Sequence, residues 1–353
     1  MNWVFIWRLI AIIGGIAILA VVHEFGHFIA ARLSKVKVTD FFIGFGPKLF
    51  SVKRGETTYG IAAIPAGAYV KMAGDNLLDE EGDEKQVDDS RSLPKASFIK
   101  KLFIVVLGPV ANLLLAFLIL SVAFGFEGEI KPTNVVAATV KNSPAEGSLK
   151  KGDRIVGING HKTTTWNSLS KEIKKHPKQI IEATFIRRGQ KQTVKIKTII
   201  KQNVAMIGIY PFEKRIRFLS LSESLKVSAG FIFAATKAIS GLIFKALTGQ
   251  PAELAKSSMS IVGFVNFGVK ISTTLLNFLF LIGYLSFILA YFNLLPLPPL
   301  DGGRMLLFVI EKIKKSPIKK NAMIAINAVG FSILLTLFVY LLVKDLIFGL
   351  PNV

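Results

Sequence analysis

The residues best equipped for chemistry stand together near the start of the chain: His23-Glu24-Phe25-Gly26-His27. Two histidines four apart share one helix face, with a carboxylate beside them. That spacing can supply two nitrogen ligands to zinc and a general base, the parts of a hydrolytic metal site. The surrounding run, from Trp3 to about Ala31, is apolar enough for a membrane span, where an ionisable side chain is costly and marks function. The plainer reading of the same five residues is a buried glutamate with chance histidine neighbours.

A catalytic zinc needs a third protein ligand and a position for water. The candidate lies in Asn293-Leu294-Leu295-Pro296-Leu297-Pro298-Pro299-Leu300-Asp301-Gly302-Gly303. Asp301 follows an apolar run, beside glycines that let backbone approach closely and prolines that unwind a helix. A divalent ion on neutral His23 and His27 is balanced by Asp301 and Glu24, and hydrocarbon tolerates such a near-neutral group better. Alone, Asp301 would read as a loop acid after a proline turn.

The 353 residues are 51% hydrophobic and 19% charged, with a net charge of +21. So apolar a composition implies a multi-span membrane protein with an aqueous part. The basic residues are spread over the polar segments and no nucleic-acid-binding signature is present, which makes anionic membrane lipid the simpler partner and excludes nucleic acid. Cysteine is absent, so disulfides and thiolate ligands are excluded. Arg8 before an apolar core imitates a secretory signal, but the core is too long and lacks a clear cleavage site; it reads as a retained helix.

These elements divide the chain as follows. Residues 1–32 form a first transmembrane helix, and 33–74 a β-rich region at the membrane face, a hairpin or small sheet. An acidic cytoplasmic loop over 75–97 leads to a second helix over 98–125, where Gly108-Pro109-Val110-Ala111-Asn112 should turn its amide toward other helices. Over 126–217 short strands alternate with turns, and the phrase from Ser143 to Gly160 resembles a PDZ domain in end-permuted order. His161 and His176 there read as solvated surface. Residues 218–270 are amphipathic, and Lys226, Lys237 and Lys245 suit a helix lying on the interface better than an extra span. A third helix with its aspartate motif covers 271–303, a basic cytoplasmic loop 304–321, and a fourth helix 322–348. The positive-inside rule places that basic loop in the cytoplasm, and four spans then put both termini and the PDZ-like domain outside. The expected fold is a multi-span α-helical membrane protein of about four transmembrane helices, with a membrane-associated β-hairpin or sheet and one inserted PDZ-like α+β domain.

The stretches His23 to His27, Gly108 to Asn112 and Asn293 to Gly303 resemble the site-2 protease family of intramembrane zinc metalloproteases. With a single PDZ-like insertion, Gly44-Phe45-Gly46-Pro47 and Ala66-Gly67-Ala68-Tyr69-Val70-Lys71-Met72, the chain is most similar to the bacterial regulator-of-sigma-E protease group, over nearly its whole length. The resemblance implies zinc ligation by His23, His27 and Asp301, base catalysis by Glu24, and substrate positioning by Asn293. It also implies the bacterial inner membrane and single-span substrates, such as anti-sigma factors or leftover signal peptides, with a peptide tail at the PDZ-like domain. The rival is a membrane-anchored PDZ scaffold whose metal site is not catalytic. A metal transporter is the second rival, although transport explains neither a base beside the ligands nor a peptide-binding domain.

Overall fold

The computed structural model describes residues 3–75, 90–201, 204–250 and 258–348. Most of the acidic loop expected over 75–97 therefore lies outside the described residues. Two units are present, one of Met1–Phe124 with Leu221–Val353, the other of Gly125–Ser220.

Apolar residues without an internal proline run as one helix, α1 (Trp3–Leu33). Two long strands follow, β1 (Val38–Arg54) and β2 (Thr57–Met72), and then helix α2 (Phe98–Glu127). Each strand bends, at Gly44 in β1 and Gly67 in β2, where φ is +88° and +113°. Phe41 consequently pairs with both Tyr59 and Val70, so the first half of β1 lies between the two halves of β2. The foot of this sheet is buried: Val38, Val70 and Met72 join Ala30, Leu93 and Ile104 in one apolar cluster. Its far half instead exposes Phe45, Leu49, Phe50, Ile61 and Ile64.

The second unit contains β3 (Glu129–Thr139), β4 (Arg154–Ile158), β5 (His161–Lys162), α3 (Trp166–Lys174), β6 (Ile180–Arg187), β7 (Gln190–Lys197), β8 (Ile199–Lys201), β9 (Val204–Met206) and β10 (Ile209–Arg217). The sheet runs β10-β3-β4-β6-β7, with β5 beside β4, while β8 and β9 pair separately. Thr165 starts α3 because its hydroxyl accepts the Ser168 N–H, and the Ser168 hydroxyl accepts the Thr165 N–H in return. Leu169 and Ile173 from α3 then close the core over Ile155, Ile158, Ile181 and Phe185.

The chain continues as α4 (Leu221–Leu247), α5 (Ile261–Ile271), α6 (Leu275–Asn293), α7 (Asp301–Lys314) and α8 (Lys320–Phe348). Among the described residues, α1, α2, α4, α6 and α8 are long and apolar enough to cross a membrane. That is one more than the four expected, the addition being α4, in the stretch read as interfacial. Phe231 of α4 packs on Tyr284 of α6, and Ser240 Oγ lies 2.8 Å from the Tyr291 hydroxyl, so α4 runs alongside α6. Parity limits what α4 can do. Phe124 stacks edge-on against Phe280 at 4.8 Å, and Ser286 donates to the Asn112 carbonyl at 2.7 Å, so α6 runs opposite to α2. The end of α2 and the start of α6 lie at one end of the bundle, and the chain between them must return there. The stretch expected as a basic loop over 304–321 is largely α7. Leu307 and Phe308 are buried, and Glu311 meets Lys101 at 3.7 Å, giving this segment an inward helical face that a loop would lack.

Asp153 is the buried acid of the second unit. It accepts the Lys150 N–H at 2.7 Å, and Arg187 Nε and Nη2 at 2.8 and 2.7 Å. Burial pushes its carboxyl up, but the Arg187 and backbone hydrogen bonds outweigh that and hold it below the usual carboxylate range. The stability this gives is complete above the unfolded-state value of about 4 and is lost as pH falls through the lower folded value. Asp153→Asn, which leaves Arg187 without its anion, should destabilise this unit and flatten its acid-unfolding curve, read by circular dichroism against urea and pH.

Candidate metal centre

The helix face carrying His23 and His27 is useful only if a neighbour comes very close. It does so at two glycines. A Cβ on Gly26 would collide with the Leu107 carbonyl, and one on Gly108 would collide with the His27 ring. With α1 and α2 nearly in backbone contact, His27 Nδ1 donates to the Ile104 carbonyl at 2.8 Å. That bond fixes the tautomer and turns the Nε2 lone pair inward. His23 Nδ1 lies 3.4 Å from the Asn112 amide, which is fully buried, as a polar group in an apolar helix has to be.

Asp301 arrives from the other side. Helix α6 stops at Asn293, the three prolines between 294 and 300 turn the chain, and α7 begins at Asp301. Gly302 lets this first turn press onto the Leu294 and Leu295 carbonyls, where a Cβ would collide. Asp301 Oδ2 then lies 2.9 Å from His23 Nε2 and 3.3 Å from His27 Nε2, and the two nitrogens are 3.2 Å apart. His23, His27 and Asp301 are the one such group of metal-ligating side chains among the described residues.

These atoms fit zinc. Bonds of about 2.0 Å in a tetrahedron place ligands roughly 3.3 Å apart, close to the separations found. Asp301 Oδ2 is buried yet makes no hydrogen bond, as expected of an oxygen reserved for a cation. Asn112 Oδ1 is likewise buried and unsatisfied. Turning that amide by 180° presents the oxygen to His23 Nδ1–H, which commits Nε2 to the same point as His27 Nε2.

Glu24 completes the group: its Oε2 accepts the Val70 N–H at 3.1 Å. The base expected from sequence is thus tied to the end of β2 by a backbone donor, which no side-chain pattern can signal. Asn293 is the last residue of α6, half-buried, and its amide donates to the Leu289 carbonyl one turn back at 3.0 Å. A second tie was also invisible in sequence. Arg304, one turn beyond Asp301, donates to Asp75 Oδ1 and Oδ2 at 3.0 and 2.9 Å, although the two lie 229 positions apart.

Residues 11–337 match the model of Peptidase family M50. A Clostridium acetobutylicum protein named as a candidate zinc metalloprotease is 32% identical over 342 residues, covering 94% of this chain and 95% of that protein. A similarly named protein of Clostridium perfringens is 33% identical, covering 94% and 96%. The zinc metalloprotease RasP of Geobacillus kaustophilus is 26% identical, covering 92% and 94%. Among solved structures, the PDZ domain of an SdrC-like protein from Listeria monocytogenes aligns at 19% identity and a TM-score of 0.21, over 23% of this chain and 87% of that one.

Because Gly108 makes room for the His27 ring, Gly108→Ala should displace that imidazole. The purified variant should hold well under half of the parent's zinc by metal analysis while remaining monodisperse in detergent.

Proposed function

From the premise that this chain belongs to peptidase family M50, and is a multi-pass membrane zinc metalloendopeptidase of the site-2 protease type, we propose that it cuts peptide bonds inside the transmembrane segments of single-span proteins. The depth of the site carries this reading. Gly330 of α8 lies against the Pro298 carbonyl, where a Cβ would collide, three residues before Asp301. Lys320 opens α8 ten residues earlier and, with Lys312, Lys314, Lys315 and Lys319, forms a basic collar suited to lipid head groups. At about 1.5 Å of rise per residue, Asp301 lies about 15 Å below that collar, roughly half the thickness of the hydrocarbon.

His23, His27 and Asp301 would hold the zinc, which when bound supplies Lewis acidity to a water and to the scissile carbonyl. Glu24 takes the proton of the attacking water and delivers it to the leaving amine. The Val70 N–H holds Glu24 Oε2 in place for the first of these transfers. Asn293 donates to the peptide or to the developing oxyanion once its amide turns from Leu289. A substrate helix has its carbonyls in hydrogen bonds and must open locally before attack. The β2 edge, with Val70 beside Glu24, offers the opened segment main-chain partners by strand addition. The exposed Phe45, Leu49 and Phe50 suit a sheet bathed in lipid rather than water.

In the full reading the chain sits in the bacterial inner membrane with α4 alongside α6 and the lysine collar of the 304–321 connection on the cytoplasmic side. The Gly125–Ser220 unit is PDZ-like, lies outside and takes a peptide tail. Substrates are anti-sigma-factor-like proteins or remnant signal peptides, cut in regulated intramembrane proteolysis. A scaffold with an inert metal site gives no reason for a carboxylate held beside the three ligands.

In lipid vesicles with a single-span substrate, Glu24→Gln should keep its zinc and lose cleavage by about 10²- to 10⁴-fold, read by gel. A parent protein that retains zinc yet cleaves none of a panel of such substrates would favour the scaffold. Stripping zinc with a chelator should abolish cleavage, and adding zinc back should restore it. Placing Pro or Gly in the substrate helix near the cut should speed cleavage, whereas a continuous leucine run should slow it.

A further inference from the structure

The site is assembled from two halves: α1, the bent sheet and α2 bring the imidazoles and Glu24, and the α6–α7 turn brings Asp301. We infer that the Asp75–Arg304 ion pair is a positioning device that sets Asp301 against His23 and His27, an inference resting on the zinc reading of that site. Asp75 belongs firmly to the first half. It follows β2 in a turn pinned on both sides: the Ala73 N–H donates to the Lys37 carbonyl at 2.9 Å, and the Leu93 N–H to the Ala73 carbonyl at 2.8 Å. Arg304 belongs to the second half, on the same helix as Asp301 and one turn along it.

Two further observations give the pair this role. Helix α7 begins without a side-chain cap, since Leu300 at its N-cap cannot supply one, so the turn that carries Asp301 lacks the side-chain hydrogen bond that commonly anchors a helix start. The end of β2 thus holds the base at Val70 and the ligand helix at Asp75, five residues apart on one short segment. Stability alone does not account for the pair. Asp75 is 4% exposed, and a buried ion pair is often no more stabilising than apolar residues of the same volume. Geometry does account for it, because one Arg304 nitrogen meets both Asp75 oxygens, at 3.0 and 2.9 Å, and restricts how α7 can turn.

The test is zinc affinity of the full-length protein in detergent, measured by competition with a chromophoric chelator. Arg304→Gln and Asp75→Asn should each weaken zinc binding by about 10- to 100-fold, as loss of a ligand-orienting partner does. The double variant should be no worse than the worse single, since both remove one interaction. Arg304→Lys, which keeps a cation but on a more flexible stem, should give an intermediate affinity, and serves as the readout if Arg304→Gln aggregates. Parent-like affinity in the folded single variants, or effects that multiply in the double, would overturn the inference. His23→Ala is the control on its premise. If that change leaves zinc binding intact, the zinc reading fails whatever Arg304 does; if zinc is lost there and kept in the Arg304 variants, only the positioning role fails.

Discussion

The contact between α1 and α2 at Gly26 and Gly108 is the constraint on which the rest depends. Two helices bearing ordinary side chains pack 8–10 Å apart, and a Cβ at either glycine would collide with the Leu107 carbonyl or the His27 ring and hold these two further apart. Removing two Cβ atoms closes that gap, and three consequences follow together. His27 finds the Ile104 carbonyl, His23 finds Asn112, and both Nε2 atoms point toward the one place where Asp301 can meet them. In water such a group could be loosely held and still function. In an apolar interior each unsatisfied polar atom costs free energy, so the surrounding hydrogen bonds are conditions for the site to exist at all.

The candidate site was legible in the sequence because it depends on residue type and short spacing. His23, Glu24 and His27 lie within one helical turn and announce themselves, and Asp301 stands out as an acid at the end of an apolar run. The structure brings these together, and the family match is consistent with that reading. The β-rich region could also be seen from its β-formers and turn residues. Its topology could not, since the pairing of Phe41 with both Tyr59 and Val70 depends on bends that only φ reveals. The supports stayed hidden for a similar reason: Val70 acts through its backbone, and Asp75 and Arg304 are joined across 229 positions. In the sequence Arg304 looks like one more basic residue of the 304–321 stretch, because a charge in a sequence carries no sign of its partner.

Segment boundaries show where periodicity reaches its limit. The 304–321 stretch has enough lysine to resemble a loop, yet the inward Leu307 and Phe308 make most of it a helix. For α4, lysines and long apolar runs coexist, so composition alone supports both a surface and a spanning reading. The opposed directions of α2 and α6 constrain the answer further than composition does, because they fix where the chain must be when α6 begins.

The hydrogen bond from Val70 to Glu24 has one more consequence. A neutral carboxylic acid is a weaker acceptor than a carboxylate, so under the proposed role of Glu24 as the base the tether slackens while the side chain carries a proton and draws tight when it lets go. On that proposal, reciprocity couples the sheet margin to the proton: a guest strand that tugs on the margin would shift the proton's occupancy, and the proton's departure would alter the hold on the guest.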